Sequence, residues 1–253
     1  MSNLKTNYEI VAVGNIQLQT TKDPQIDGIL AQNRDAIEEI WQNTQIEKGG
    51  KLFNGTLPNF VGVDKKSLSN HLIIKSHFVE YKSFLAQRKR PDLNLGIRPI
   101  GVSGVIVLKE AGKEYVVFAK RANDVTEYPA FLELVPSGSI DKECSDVSGN
   151  IDYKAKLLSE FSEETGLPKE YVKEISSFAF VLDTNHNVYD ICCKILVESA
   201  KELFFSEFKR SKEYQSPVAI AVAELADFIK ENHESIVPTS MALIDAYMRG
   251  AYN

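Results

Sequence analysis

Cysteine is scarce in this chain of 253 residues: Cys144 and the neighbours Cys192 and Cys193 form neither a disulfide framework nor a zinc-ligand spacing. The two neighbours lie in an apolar strand pattern, so one of them is expected to be buried. The four histidines, His71, His77, His186 and His233, show no paired ligand spacing either, although His186 sits in a turn-rich stretch where a ligand contact is open. No apolar run reaches the roughly 18–20 residues of a membrane span. The opening MSNLKTNYEI has no apolar signal core. Basic residues are outnumbered, 29 against 35 acidic, and the net charge of −6 argues against a nucleic-acid backbone or an anionic membrane as partner. The expectation is a cytoplasmic protein whose partner is a small molecule. A nucleotide is allowed, because a local metal ion or basic side chain can outweigh the global sign. A homodimer is compatible with all of this.

What is present is an ordinary globular composition, 43% hydrophobic and 25% charged, with no internal repeat. YEIVAVGNIQLQT (8–20) alternates apolar and polar residues and reads as one or two strands. Asp23-Pro24 signals a helix start, and the apolar spacing from Ile26 to Trp41 predicts a helix up to Gly49. KLFNGTLPNFVGVD and NHLIIKSHFVEY read as strands, with a short helix over 81–89. Residues 1–95 thus form a small amino-terminal α+β lobe, and RPDLNLGIRP is the expected seam to a second domain, 96–253. There, GVSGVIVLKE and KEYVVFAKR flank Ala111-Gly112 as a hairpin, and FLELVPSG reads as a third strand. SSFAFVLDT and NVYDICCKILVES pair around 184–187, and two helices close the chain.

The most informative segment is LLSEFSEETGL (157–167). Glu160, Glu163 and Glu164 stand at i, i+3 and i+4, which a helix brings to one face, and Gly166 supplies a left-handed stop. Three like charges weaken a helix by a few tenths of a kcal/mol per pair, roughly. A hard divalent cation such as Mg²⁺ reverses that sign and commonly works with phosphate substrates. The competing account is a solvated charged face built of good helix formers.

These residues resemble the signature of the Nudix hydrolases, G-x5-E-x7-R-E-U-x-E-E-x-G-U, with U a bulky aliphatic residue. The second half matches Glu160, Phe161, Glu163, Glu164, Gly166 and Leu167. Ser159 stands where the family has arginine. Gly138 matches the first glycine but lies 21 residues before Ser159 instead of 14, so the loop between them is lengthened. The signature's first glutamate counts back to Ile151, and neither Asp152 nor Glu143 is assigned in its place. Residues 101–141 resemble the family's opening hairpin. Segments 51–63 and 81–87 are similar to a branch that includes animal UDP-glucose pyrophosphatases and their plant relatives.

The resemblance implies an α/β/α sandwich with a mixed sheet, preceded by the small lobe. It implies a pyrophosphohydrolase dependent on Mg²⁺ or Mn²⁺, with Glu160, Glu163 and Glu164 as metal ligands and catalytic groups, and the backbone at Gly138 as a further contact. The three carboxylates titrate as a coupled set, so which is the base is not readable. Arg121 matches a position near the substrate, and its planar fork suits phosphate. Arg98 is expected to cap the seam. Tyr128 and Phe131 are candidates to stack on a base or sugar, with loop packing as the alternative. The branch favours a nucleotide sugar such as UDP-glucose, split to UMP and a sugar 1-phosphate. The alternatives are ADP-ribose or a dinucleotide as substrate, or a non-catalytic nucleotide-binding module. Retention of the glutamates beside a changed Ser159 favours a variant enzyme over a dead one.

Overall fold

The computed structural model describes residues 8–64, 71–123, 128–208 and 214–251. The opening residues MSNLKTN, Asn70 at the head of an expected strand, and residues 124–127 before the third strand of the second domain lie outside the described residues. Among the described residues no helix is long and apolar enough to cross a membrane.

The alternating stretch at the start makes two strands, β1 (Tyr8–Val13) and β2 (Asn15–Thr20), divided where Gly14 takes φ 141°. Asp23 caps α1 (Pro24–Gln32), accepting from the Ile26 amide at 3.2 Å. The single helix expected up to Gly49 is two helices. The Asn33 side-chain amide donates to the Ile29 carbonyl at 2.9 Å and ends α1, and α2 (Arg34–Glu47) starts afresh. Strands β3 (Thr56–Val63) and β4 (His71–Glu80) lead into α3 (Tyr81–Lys89). Then β5 (Ile100–Glu110) and β6 (Lys113–Arg121) form the hairpin, with positive φ at both Ala111 and Gly112 as a two-residue turn of this hand requires.

The expected third strand is broken into β7 (Leu132–Leu134), which pairs β6, and β8 (Ser137–Ser139), which pairs β5. Pro136 lies between them and has no N–H to continue a ladder. The short β9 (Asn150–Ile151) precedes α4 (Tyr153–Thr165), the acidic helix, which ends on Gly166 at φ 74°. Strands β10 (Val172–Asp183) and β11 (Val188–Glu198) follow. Two further elements had no sequence signal: α5 (Lys201–Phe208) and the edge strand β12 (Tyr214–Ala221), where Pro217 is tolerated. Helices α6 (Leu225–Asn232) and α7 (Pro238–Ala251) complete the chain.

The larger sheet runs β1-β10-β11-β5-β6-β12, with β11 and β5 parallel and every other pair antiparallel. Its side chains sort by the period of two that a pleated strand imposes. Ile106 and Leu108 of β5 and Ile191 and Cys193 of β11 face one core, together with Leu157 and Phe161 of α4 and Phe204 of α5. Val105 and Val107 of β5 and Cys192 of β11 face the other, with Leu225 of α6 and Leu243 and Ile244 of α7. Both cysteines of the pair are buried, on opposite faces. The architecture is therefore α/β, a mixed sheet covered by helices on both faces.

A second sheet, β3-β4-β2-β9, shares the α4 core through Ile16, Leu18 and Ile74 and carries α1, α2 and α3 on its other side. The expected seam between 1–95 and 96–253 is not a clean division. Strand β1 pairs with β10 in the larger sheet, and β9 of the carboxy-terminal part pairs with β2 in the smaller. Gly14 is the reason, since it sends consecutive strands into different sheets. Arg98 donates to the Phe60 carbonyl at 3.1 Å with its guanidinium 5.0 Å from the Phe60 ring centre, and so ties the start of the second segment to β3.

Phe161 is fully buried, so Phe161→Ala is expected to cost about 3–5 kcal/mol. Asp152→Ala, which removes only the α4 cap accepting from the Ala155 amide at 2.9 Å, is expected to cost about 1 kcal/mol. Urea unfolding of both variants checks the ranking, and equal midpoints would contradict it.

Candidate active site

The orientation of α4 is fixed at both ends. At its start, the buried Tyr153 hydroxyl donates to the Ile16 carbonyl and lies 3.1 Å from Ser177 Oγ, which itself accepts from the Ile16 amide at 2.8 Å. At its end, Glu164 is 7% exposed. Its Oε1 accepts from the Ser137 amide at 3.2 Å, and its Oε2 lies 3.3 Å from the Tyr214 hydroxyl. That hydroxyl is also 3.1 Å from Glu133 Oε2, the oxygen that meets Arg121 in an ion pair. Burial, and then the charges of Glu133 and Glu164, push the Tyr214 phenol far above its ordinary range, so it stays a proton donor between two acceptors.

The three glutamates of α4 have three different settings. Glu160 packs on Gly138, where an added Cβ would lie 2.5 Å from Glu160 Cγ, so glycine is required for this approach. Its Oε1 holds the Lys156 ammonium at 2.8 Å, one turn back along the helix. Glu163 is exposed and accepts from the Ser159 hydroxyl at 3.0 Å, so the serine found in place of arginine contacts a glutamate directly. Glu164 is turned into the buried network. Glu160 and Glu164 thus meet adjacent residues of β8, while Glu163 faces solvent. Among the described residues no three His, Cys, Asp or Glu side chains are gathered closely enough to hold a metal ion. Asp152 and Glu143 are elsewhere, the first capping α4 and the second in the turn after Asp141.

The donors nevertheless fit a hard divalent cation. Carboxylate oxygens are the chemistry such an ion prefers. Gly138 lets the Glu160 carboxylate lie directly against the β8 backbone, an approach that any side chain at 138 would block. An ammonium already sits on Glu160 as a cation.

Strand β8 also walls a cleft at the end of the larger sheet where β5 and β11 begin. One arm, about 300 Å³, is lined by Gly101, Ser103, Ser137, Gly138 and Ser139. The other, about 230 Å³, is lined by Arg88, Arg121, Tyr128, Asn185 and His186. Glu133, Val188, Asp190 and Thr239 belong to both arms, so the two are continuous. Glu160, Glu163 and Glu164 line neither arm and lie across β8 from it. Of the residues expected near substrate, Arg121, Gly138 and Tyr128 line the cleft. Phe131 does not; its ring packs on Tyr128 at 5.5 Å.

Sequence reasoning missed Glu133, Tyr214 and Asp190. Each is a lone polar residue in a strand with no motif around it. Only Ser103, beside Asp190 across the β5–β11 pair, completes a recognisable polar contact, and that needs the register. Loss of hydration pushes the Asp190 carboxyl up to about 6, partly offset by the Ser103 hydroxyl donating at 3.0 Å and reinforced by the charge of Asp183.

No protein-family model matches the chain, and no curated protein is significantly similar to it. Solved structures are similar in part. The Nudix domain of Shewanella oneidensis NrtR, complexed with ADP-ribose, is 14% identical at a TM-score of 0.40, over 59% of this chain and 86% of that one. A C. elegans Ap4A hydrolase binary complex is 16% identical at 0.37, over 60% and 98%. A mutT/nudix family protein from Listeria innocua is 10% identical at 0.33, over 59% and 96%. The functional case therefore stands on the chain's own residues.

Two predictions follow from the geometry. Tyr214→Phe removes the donor between two buried carboxylates and is expected to cost about 1–3 kcal/mol, read from chemical unfolding; an unchanged midpoint would show that the hydroxyl does not hold them. The second concerns Asp190. Its folded-state value, about 6, exceeds the ordinary 3.8, so the folded chain binds this proton more tightly. Between roughly pH 4 and pH 6 the contribution of this group to stability falls as pH rises, and the full cost is present above that window. The charged and titratable groups around it are Asp183, His186, Glu133, Arg121, Arg88 and Tyr8. Asp190→Asn is therefore expected to raise Tm at neutral pH, with the gain gone at about pH 4. Thermal melts at the two pH values check this, and a gain of equal size at both would count against it.

Proposed function

We propose that this chain is a metal-dependent pyrophosphohydrolase acting on a nucleoside diphosphate linked to another group, with a nucleotide sugar as the favoured substrate. One observation carries the reading. The acidic end of α4 is packed on the same three-residue strand, Ser137–Ser139, whose other side walls the cleft. A phosphoanhydride at the edge of β8 would then lie beside carboxylates able to bring it a cation.

Glu160, Glu163 and Glu164 would hold the metal, Glu164 by giving up part of its contact with Tyr214. A bound Mg²⁺ or Mn²⁺ supplies an activated water and a clamp on phosphoryl oxygens. The remaining work falls to the chain. Arg121, already oriented by Glu133, presents its guanidinium to the cleft, where it offers fork geometry to a phosphate. The Gly138 backbone permits close approach. Tyr128, at φ 49° on the rim, offers a ring face to a base or sugar. The nucleotide-sugar preference rests on the similarity of segments 51–63 and 81–87 to the UDP-glucose pyrophosphatase branch. Segment 81–87 begins α3, which contributes Phe84 and Arg88 to the cleft.

A second reading, a nucleotide-binding module without turnover, is favoured by the Lys156 ammonium on Glu160. A third substrate class, ADP-ribose or a dinucleotide, fits the same carboxylates.

Purified protein with Mg²⁺ or Mn²⁺ is expected to hydrolyse at least one member of a panel of UDP-glucose, ADP-ribose and dinucleoside polyphosphates. Glu160→Gln and Glu163→Gln are each expected to lower kcat on the order of 10²–10³-fold, the size of one lost transition-state electrostatic contact. Chelator should abolish turnover. Ligand-induced thermal stabilisation with no product from any of the panel would establish the second reading instead.

A further inference from the structure

Three acidic residues among the described ones line the cleft: Glu133 is paired with Arg121, Asp183 accepts from the Asn185 and His186 amides and meets the His186 ring, and Asp190 is held through one oxygen only. Asp190 stands in the third position of β11, directly opposite Gly101 of β5 in the parallel register. An added Cβ at Gly101 would lie 2.8 Å from Asp190 Oδ1, so the carboxylate lies over a glycine and is packed close to the sheet. Ser103, two residues along on the same face, fixes Oδ1 at 3.0 Å. Among the described residues no hydrogen bond or ion pair reaches Oδ2. The residue belongs to both arms of the cleft, so its unpartnered oxygen lies at their junction.

A carboxylate anchored through one oxygen and open to the cleft through the other has acceptor capacity to spare. Its surroundings identify what would use it. The charge of Asp190, with that of Asp183 close by, would repel a phosphate or carboxylate placed on this oxygen. An apolar group would leave Oδ2 unsatisfied. Hydroxyl groups satisfy it, because a carboxylate is acceptor-only and has lone pairs to spare on both oxygens. The flanking residues extend the same chemistry. Asn185 offers an amide, and His186 has its Nδ1 committed to Asp183 at 2.7 Å, which leaves Nε2 for a ligand. The phosphate-compatible residues, Arg121 and the β8 backbone, lie to either side.

We infer that Asp190 is a specificity-determining residue that accepts hydrogen bonds from a vicinal diol of the substrate, carried by either the ribose of the nucleoside or the sugar beyond the diphosphate. The inference rests on the pyrophosphohydrolase reading for its substrate class, but binding alone can test it. The diol is held at the junction of the arms, which places the diphosphate along β8 and the remaining end of the ligand against Tyr128, Asn185 and His186.

The test compares UDP-glucose with its 2′-deoxyribose and its 2-deoxyglucose analogues, on wild type and on Asp190→Asn, by kcat/KM and by calorimetric binding without added metal. Wild type is expected to disfavour one analogue by roughly tenfold to a hundredfold, the span for leaving one buried polar group unpaired. Which analogue is disfavoured identifies the ribose or the appended sugar as the source of the diol. Asp190→Asn should bring the ratio to within about threefold, while its melting temperature is not lowered, an outcome a merely structural role would not give. Discrimination in binding without any turnover would support the diol site and reject the hydrolase reading. Equal handling of all three ligands by wild type, in turnover and in binding, overturns the inference, as does a ratio that Asp190→Asn leaves intact. Ser103→Ala, which keeps the carboxylate and removes only its anchor, serves if the asparagine variant does not fold, and it should reduce the ratio partially.

Discussion

Two carboxylates buried within reach of one phenol hydroxyl hold this site in shape. Glu133 comes from β7, Glu164 from α4 and Tyr214 from the edge strand β12, while Arg121 closes the group from the end of β6. Like charges in a low-dielectric setting repel strongly unless donors are aimed at them, and removing one donor costs more than the bond was worth on forming. Here the donors are the Tyr214 hydroxyl, the Arg121 guanidinium and the Ser137 amide. Because each donor comes from a different element, the last turn of α4 cannot move without disturbing four parts of the sheet edge. That turn sets where Glu160 meets Gly138, so the buried network positions that carboxylate.

The rest of the fold serves that junction. Strand β5 is buried on both faces along most of its length, as expected of a central strand with a parallel neighbour and helices on each side. Its first residues, Gly101 and Ser103, are small, and they open the end of the sheet into the cleft. The smaller sheet reinforces α4 from behind through Tyr153, and it carries α3 forward so that Arg88 reaches the far arm. A segment that reads in the sequence as a separate lobe is thereby part of the site's wall.

Much of the architecture was legible because period and punctuation agree. Asp23-Pro24, Ala111-Gly112 and Gly166 all mark boundaries where the structure places them, since each acts through its own local geometry. What could not be read depends on partners far along the chain. The break at Asn33 comes from a side chain competing for a helical carbonyl, and the strand division at Gly14 from a glycine in an otherwise uniform alternating pattern. The helix at 201–208 is too short to show a period, yet Phe204 and Phe208 are fully buried beneath α4. For the candidate site, the sequence shows where the glutamates fall along the helix but not their rotamers. Spacing at i, i+3 and i+4 places three carboxylates on one helix face, and the environment then separates them: one on a lysine, one in solvent, one on a tyrosine. Asp190 had no signal at all, since its meaning comes from the register that sets it over Gly101.

The separation of the three glutamates bears on how a cation would enter. The Lys156–Glu160 pair is only partly shielded, the side chains being 24% and 16% exposed in an i,i+4 arrangement. Such a pair holds by about 1 kcal/mol or less once solvent screening is allowed for. A lysine stem is long and flexible, so its ammonium can withdraw into water with little penalty. A divalent ion gains far more from a carboxylate than an ammonium does, because it carries twice the charge in direct contact with oxygen. Lys156 therefore acts as a weak, local counter-ion that offsets the repulsion between Glu160 and its neighbours. One turn before Ser159, that ammonium lets the acidic helix fold without a cation, and under the proposed metal-dependent reading it is the group a cation would displace.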